Sequence, residues 1–170
     1  MRGCAGSRRI TLLQRPGASV TPSPEARRED RREPFAEAAL ALSALGLAVM
    51  PLGGDDGKVA LMSGYPKWRR RPGRRTVEKW VAEHPAANIG VLCGLSRIVV
   101  VDIDAASLLE PMLDRFGATP LIIATRRGYQ LWYRACGNEQ PSNLRGPEGL
   151  EVEIKAGPAA IVVVPPSWNR

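Results

Sequence analysis

The heptapeptide IVVVDID, residues 98–104, constrains the fold more than any other part of the chain. Its four leading apolar residues, three of them valine, favour a strand buried on both faces in the interior of a sheet. Asp102 and Asp104 follow at the carboxyl end of that strand. Because residues i and i+2 of a strand point to the same face, the two carboxylates would lie about 6–7 Å apart at Cβ.

The residues alone leave two interpretations of this aspartate pair open. In the first, both carboxylates converge on Mg²⁺ or Mn²⁺, the ions that oxygen ligands select, with two ions about 3.5–4 Å apart. Like charges at the end of a buried strand also repel unless a cation neutralises them. In the second, Asp104 caps a helix that starts near Ala105, while Asp102 accepts a hydrogen bond from a loop amide.

A second acidic strand bears on that choice. In GLEVEIK, residues 149–155, Glu151 and Glu153 alternate with apolar residues, which places both glutamates on one face. If this strand pairs beside IVVVDID, one of the glutamates completes a cluster of three carboxylates. The alternative is that both simply form the solvent face of a half-buried strand.

The remaining pattern predicts a mixture of helices and strands. Helices are expected over PFAEAALALSAL, over VEKWVAEH with Thr76 as N-cap, and over SLLEPMLDRFG with Pro111 in its first turn and Gly117 at its end. Strands are expected at AVMPL, Ile89–Leu92, Ile98–Ile103, Leu121–Ala124, Gln130–Arg134, Leu150–Lys155 and Ala160–Val164. The second and third of these strands are predicted to be neighbours, joined by a turn around Gly94. The fold class is therefore α+β, with helices packed on a largely antiparallel or mixed sheet.

The 170 residues are the length of one domain. Residues 1–33 are rich in Arg, Pro, Ser and Gly and are predicted to be a disordered basic arm, so the ordered domain spans 34–170. No apolar run is long enough to cross a membrane, and no signal-peptide core follows the N-terminus. Three widely spaced cysteines fit neither a disulfide framework nor a zinc site, which indicates the cytoplasm.

The net charge of +7 favours a polyanionic partner. Much of it is concentrated in KWRRRPGRR, residues 67–75, where cations surround a tryptophan. The candidate nucleic-acid contacts in this segment are Lys67, Trp68, Arg69, Arg70, Arg71, Arg74 and Arg75. The alternative is a solvated loop that only keeps the protein soluble.

From about Phe35 to Ser167 the order of features resembles the bifunctional primase–polymerase domain of the archaeo-eukaryotic primase superfamily. The resemblance is carried by an Ala-rich helix, by GLAVMPL, by HPAANIGVLCG, by IVVVDID as the first catalytic motif, and by the closing IVVVPPS. It implies the primase–polymerase fold. It also implies DNA primase and DNA polymerase activity on a single-stranded DNA template, in replication of a plasmid, phage or integrated element.

The resemblance also implies a site. Asp102, Asp104 and Glu153, with Glu151 as the competing register, would be the catalytic acids that hold two Mg²⁺ or Mn²⁺ ions. The residues implied to contact the nucleoside triphosphate are Lys58, Asn88, Arg126, Arg127, Gln130 and Ser167.

One position departs from the family pattern. The second motif normally carries a histidine in G-x-H-L-x-F, and in GYQLWYR the same place is occupied by Gln130. An amide neither carries a positive charge nor transfers a proton, so its presence should slow chemistry more than binding. This leaves a catalytically impaired, nucleic-acid- or nucleotide-binding descendant as the alternative function, and a metal-dependent nuclease as a third.

The chain stops at Arg170 without a G-x-x-x-x-G-K-[ST] phosphate loop. The expectation is therefore that any replicative helicase is a separate polypeptide, or that the gene is truncated.

Overall fold

The computed structural model describes residues 32–145, 149 and 151–168. The predicted disordered arm, residues 1–33, lies outside the described residues except for its last two. Within the described part, the helices are α1 (Pro34–Ala44), α2 (Arg74–Glu83), α3 (Cys93–Ser96) and α4 (Leu109–Phe116), with 3-10 turns at Tyr65–Lys67 and Ala106–Leu108. The strands are β1 (Val49–Gly53), β2 (Val59–Ala60), β3 (Asn88–Leu92), β4 (Ile98–Ile103), β5 (Leu121–Ala124), β6 (Tyr129–Arg134), β7 (Ser142–Arg145), β8 (Glu151–Lys155) and β9 (Ile161–Val164).

The strands form two sheets. The first sheet has the order β2-β1-β3-β9 and the second the order β5-β6-β4-β8-β7, and the pairings in both are antiparallel. The predicted α+β class with antiparallel pairing is confirmed. The prediction that β3 and β4 are neighbours is wrong, because they lie in different sheets. The short helix α3 and Arg97, in the left-handed region at φ 54°, redirect the chain between them.

Helices α1 and α2 pack against each other and on the first sheet. Phe35, Val77 and Trp80 join the apolar residues of β1 and β3 in one core, and every residue of β3 is buried. The prediction of Thr76 as N-cap is wrong, because α2 already begins at Arg74. Gly73 takes the cap position in extended backbone, and its carbonyl accepts the N–H of Thr76.

The second sheet has two different faces. On one face, Val101 and Leu131 pack around Leu108 and Met112 in a second apolar core beneath α4. On the other face, Val100 and Trp132 join the core of the first sheet. Strand β4 is therefore covered on both sides, as its apolar run predicts. The placement of Pro111 in the first turn of α4 and of Gly117 at its end is also confirmed.

None of the helices in the described part of the chain has both the length and the apolar character needed to span a bilayer.

Candidate active site

A row of polar side chains crosses the middle of the second sheet. Asp102 of β4 pairs directly with Gln130 of β6 on one side and with Glu153 of β8 on the other. Directly paired residues of antiparallel strands point to the same face, with Cβ atoms about 4.5–5.5 Å apart. The condition left open by the sequence, that the GLEVEIK strand pairs beside the IVVVDID strand, is therefore met. Glu153 lies opposite Asp102, whereas Glu151 lies opposite Arg145 of β7.

Lys155 provides a positive charge to this row. Its Nζ lies 3.7 Å from Asp102 Oδ2 and donates a hydrogen bond to Glu153 Oε2. The Asp102 side chain is only 23 % exposed. Burial raises the pKa of Asp102, Lys155 opposes that increase, and the neighbouring Asp104 and Glu153 carboxylates add to it. The carboxylate is therefore held in an environment that favours its ionised form less than water does.

Asp104 lies just beyond the end of β4 and has a different partner. Its Oδ2 accepts a hydrogen bond from Arg127 Nη2 at 2.7 Å, and its side chain is 55 % exposed. The interpretation of Asp104 as a helix cap is wrong, because the next element is a 3-10 turn preceded by Ala105, with no side-chain cap. Asp104 is thus part of an ion pair with the β5–β6 hairpin.

Gly128 explains how that hairpin comes so close to β4. A Cβ atom built on Gly128 would lie 1.9 Å from the carbonyl oxygen of Ile103, so no other residue type fits without moving backbone. The turn is closed by Thr125, whose N–H donates to the Gly128 carbonyl and whose Oγ1 accepts the Gly128 N–H. The tight approach sets Arg127 beside Asp104, with Arg126 exposed in the same turn.

Gln130, at the position where the histidine is expected, is buried with 6 % of its surface exposed. Its Oε1 accepts a hydrogen bond from Trp132 Nε1 at 3.4 Å, and its Nε2 donates to the Val163 carbonyl of β9 at 3.5 Å. Both contacts are long, so they hold the amide weakly. Gln130 therefore joins the polar row of the second sheet to the edge strand of the first.

The donor chemistry of the row fits a divalent metal ion. Carboxylate oxygens are the ligands that Mg²⁺ and Mn²⁺ prefer, and the Lys155 ammonium shows that a cation is accommodated beside Asp102 and Glu153. Across the described residues, however, no three His, Cys, Asp or Glu side chains converge into one metal-holding group. Asp104 is instead paired with Arg127 through its Oδ2.

Of the predicted nucleotide contacts, Asn88 is the first residue of β3 in the first sheet, and Ser167 lies in the segment after β9. The Asn88 Nδ2 donates to the carbonyls of Gly57 and Trp168, its Oδ1 accepts the Trp168 N–H, and Ser167 Oγ accepts the N–H of Ile89. These bonds tie the β1–β2 loop, β3 and the C-terminal segment together, and Asn88 is buried. Lys58 is exposed in the same loop. The hydrogen bonds of Asn88 and Ser167 connect this loop, strand and segment and do not reach the polar row. The binding of nucleotide by Lys58, Asn88 and Ser167 therefore stays a prediction.

The basic segment, residues 67–75, runs from the last residue of the 3-10 turn Tyr65–Lys67 into the first turn of α2, and its cations are exposed. Arg70, Arg71 and Arg74 line an open groove of about 450 Å³ beside the end of α1. Trp68 instead stacks on Trp80, with ring centroids 5.9 Å apart, at the edge of the first core. The segment thus presents charge to solvent, while its tryptophan packs against the domain.

Two residues of the site were missed in the sequence. Lys155 follows Glu153 by two positions, so the period of the strand alone places its side chain on the acidic face. Gly128 closes the TRRG turn, but its approach to β4 depends on strand pairing and has no local signal. Cys93 is no candidate nucleophile, because burial raises the pKa of its thiol to about 12.

Comparison with known families is consistent with this geometry. Residues 38–170 match the family model described as "Bifunctional DNA primase/polymerase, N-terminal". The match includes both sheets and every member of the polar row. No curated protein sequence matches the chain.

Proposed function

Since the chain belongs to the bifunctional DNA primase/polymerase family, we propose that it transfers nucleotides to a growing strand on a single-stranded DNA template. The observation that carries this proposal is the pairing of Asp102 with Glu153 between neighbouring strands of the second sheet, with a cation beside both carboxylates. In this proposal residues 34–170 form the catalytic domain and have the primase–polymerase fold. The protein acts in the cytoplasm, in replication of a plasmid, phage or integrated element.

Asp102, Asp104 and Glu153 are the proposed ligands of two Mg²⁺ or Mn²⁺ ions. When bound, such ions activate a 3′-hydroxyl and stabilise the charge of the departing pyrophosphate. Arg127 lies beside Asp104 on an exposed turn, so its planar guanidinium is available to bind phosphate oxygens of the incoming nucleotide. Arg126 in the same turn adds a second positive charge. Lys58, Asn88 and Ser167 are proposed contacts of the nucleotide.

The template is proposed to follow the basic segment. Its exposed cations provide the sequence-independent attraction to phosphates on which single-strand binding depends. The groove beside the end of α1 gives Arg70, Arg71 and Arg74 a common surface for the backbone. The Trp68 ring is partly used by its stack on Trp80, so charge contributes more than base stacking in this proposal.

A primer-synthesis assay on single-stranded template tests the function. We expect labelled extension products with Mn²⁺ or Mg²⁺ and nucleoside triphosphates, and we expect Asp102→Ala and Asp104→Ala to remove them. The matched control is Asp114→Ala, which deletes an exposed aspartate of α4, the helix that covers the opposite face of the sheet.

The outcomes separate the candidate activities. Template that becomes shorter without added nucleotides would identify a nuclease that uses the same carboxylates. If extension products persist in Asp102→Ala, the carboxylates of the polar row are not required for the reaction. Template binding with no products in any variant would leave a binding protein.

That last outcome is the second candidate function, and Gln130 favours it. In place of a histidine that could donate a proton, the row contains a buried amide whose contacts are internal. A domain with this change would still bind template and nucleotide, because neither the basic segment nor the acids depend on it.

Restoring the histidine distinguishes impaired chemistry from lost chemistry. General acid–base groups typically contribute about 10²–10⁴-fold to a rate, so Gln130→His should raise the rate of extension while nucleotide affinity changes little. Single-turnover extension and nucleotide titration measure the two quantities separately. If extension is absent in both forms although template binds, the enzymatic proposal fails and the binding function stands.

A further inference from the structure

Lys155 lies beside the polar row of Gln130, Asp102 and Glu153 but is neither an acid nor one of the proposed nucleotide contacts. It lies on β8 opposite Val100, two residues after Glu153 and on the same face. Its side chain is 18 % exposed, which is little for a lysine, and its ammonium contacts both Asp102 and Glu153. The other cation at the site, Arg127, pairs with Asp104 and is largely exposed.

The reason for this burial is electrostatic. Asp102 and Glu153 are a directly opposed pair of like charges, which destabilises a sheet unless a positive charge lies between them. The ammonium group supplies that charge and has three donors for the carboxylate oxygens. It therefore lies where a divalent ion shared by the same two carboxylates would bind.

We infer that Lys155 is the resident counter-ion of the Asp102–Glu153 pair, that a divalent metal ion enters by displacing its ammonium, and that the displaced ammonium then binds the triphosphate. This inference rests on the proposed function, because it takes the two acids as metal ligands. An ammonium has no lone pair with which to ligate a metal, and two cations beside the same carboxylates repel each other.

The lysine stem makes the exchange feasible. Four flexible methylene groups allow the ammonium to leave the carboxylates while the β8 backbone stays paired with β4 and β7. Metal binding and triphosphate binding then become coupled through a single side chain. Without nucleotide, Lys155 opposes metal binding; with metal bound, the same charge favours the nucleotide.

The test is a titration of the chelator-treated full chain with Mn²⁺ alone. The electron paramagnetic resonance signal of free Mn²⁺ measures how much of the ion remains unbound. Lys155→Met should bind Mn²⁺ more tightly than the wild type, on the order of tenfold, a typical magnitude for the coupling between two binding events. With saturating Mn²⁺, the same variant should bind dATP more weakly by a similar factor. A lysine that serves only to stabilise the sheet would not produce these opposite shifts.

Two controls isolate the charge at this position. Lys155→Arg keeps the positive charge and should show no gain in Mn²⁺ affinity. Lys79→Met removes the same charge from an exposed pair with Glu83 on α2, away from the second sheet, and should leave both affinities at the wild-type values. If Lys155→Met does not fold, Lys155→Gln tests the same point, because it is neutral and still able to donate a hydrogen bond to Glu153.

The inference is overturned if neither neutral variant binds Mn²⁺ more tightly, or if Lys79→Met gains as much. Its failure is distinguishable from failure of the proposed function. Template extension by the wild type without a gain in the neutral variants keeps the function and removes the inference. Tighter Mn²⁺ binding by Lys155→Met in a chain that extends no primer does the reverse.

Discussion

The two sheets treat their buried polar groups in opposite ways. In the first sheet, β3 is buried along its whole length, and its one polar side chain, Asn88, has its amide satisfied by three backbone hydrogen bonds. In the second sheet, Asp102 is the penultimate residue of β4. Burial raises the pKa of this carboxyl group, and the Lys155 ammonium lies 3.7 Å away. The hydrogen bonds of Asn88 stabilise the fold. The partly buried carboxyl group of Asp102, in contrast, is in an environment that disfavours its charge.

The difference indicates a division of work within one domain. The first sheet, with α1 and α2, carries the main apolar core and the basic segment. The second sheet carries the acids, and its smaller core holds them in position from behind. A partly desolvated charge at a functional site commonly lowers the stability of the protein while it serves the function. Substitutions in the two sheets should therefore affect different measurements.

Asp102→Asn should have the largest effect, and it should lower activity without lowering stability. Loss of this proposed metal ligand is expected to lower the rate of primer extension by more than about 10³-fold. The metal-free protein should not become less stable, because the variant removes a carboxylate that the folded state holds unfavourably. Single-turnover extension and thermal unfolding measure the two effects. A large loss of stability would mean that Asp102 belongs to the scaffold, as the first sheet does.

Ile89→Ala should show the opposite pattern. Ile89, the second residue of β3, is fully buried, and truncation of such a residue typically costs about 2–5 kcal/mol of unfolding free energy. Extension per folded molecule should stay near the wild-type value below the melting temperature. Denaturant unfolding gives the first quantity and active-site-normalised extension the second. If extension per folded molecule also falls, by as much in free energy as the stability does, then the two sheets do not have separate roles.

Arg70→Gln combined with Arg71→Gln should have an intermediate effect that is confined to template binding. Each lost phosphate contact should reduce the slope of log affinity against log salt concentration by about 0.7 for a single strand. Fluorescence anisotropy with a labelled oligonucleotide at several salt concentrations measures the slope. The control pair, Arg115→Gln with Arg134→Gln, removes the same charge from exposed positions on α4 and β6. If both pairs weaken binding equally, net charge and not the groove attracts the template.

The smallest expected effect is a pH dependence of stability at Asp102. Because its pKa in the folded state is raised, the folded protein retains that proton as the pH increases past the ordinary carboxyl value of 3.8. The stabilisation present at low pH is lost as the pH rises through the folded pKa. Thermal unfolding of both proteins should therefore be measured upward from about pH 3, at the lower edge of the ordinary carboxyl range. The stability of Asp102→Asn relative to the wild type should first increase with pH and then become constant. A stability difference that is constant with pH would contradict burial of the Asp102 carboxylate as the cause.

Much of the fold could be read from local pattern. The apolar runs predicted β1, β3, β4, β6 and β9, the terminators placed α4 correctly, and the alternation of GLEVEIK placed both glutamates on one face. These predictions succeeded because hydrophobic period and turn residues act over a few positions. The predicted N-cap of α2 was wrong. Thr76 is a good cap by residue type, but the helix begins earlier and Gly73 occupies the cap position.

The assignment of strands to sheets was not available from the sequence. Strands β3 and β4 look like neighbours, and their separation depends on the left-handed conformation of Arg97 after α3. Nor did any local signal reveal that Gly128 must lack a side chain because the Ile103 carbonyl passes so close to it. Contacts between residues far apart in the chain decide both, and the strength of such contacts is not encoded in local spacing.

The chemical groups available to this protein follow from its residue types: two aspartates at the end of a buried strand, alternating glutamates on a second strand, a basic segment, and an amide where the resemblance implies a histidine. The partners of these groups depend on the fold. Antiparallel register set Glu153 opposite Asp102, brought Lys155 between them and turned Asp104 toward Arg127. The physical reason is that a side chain's type is local, whereas the charge it faces depends on which strands pair and in which register.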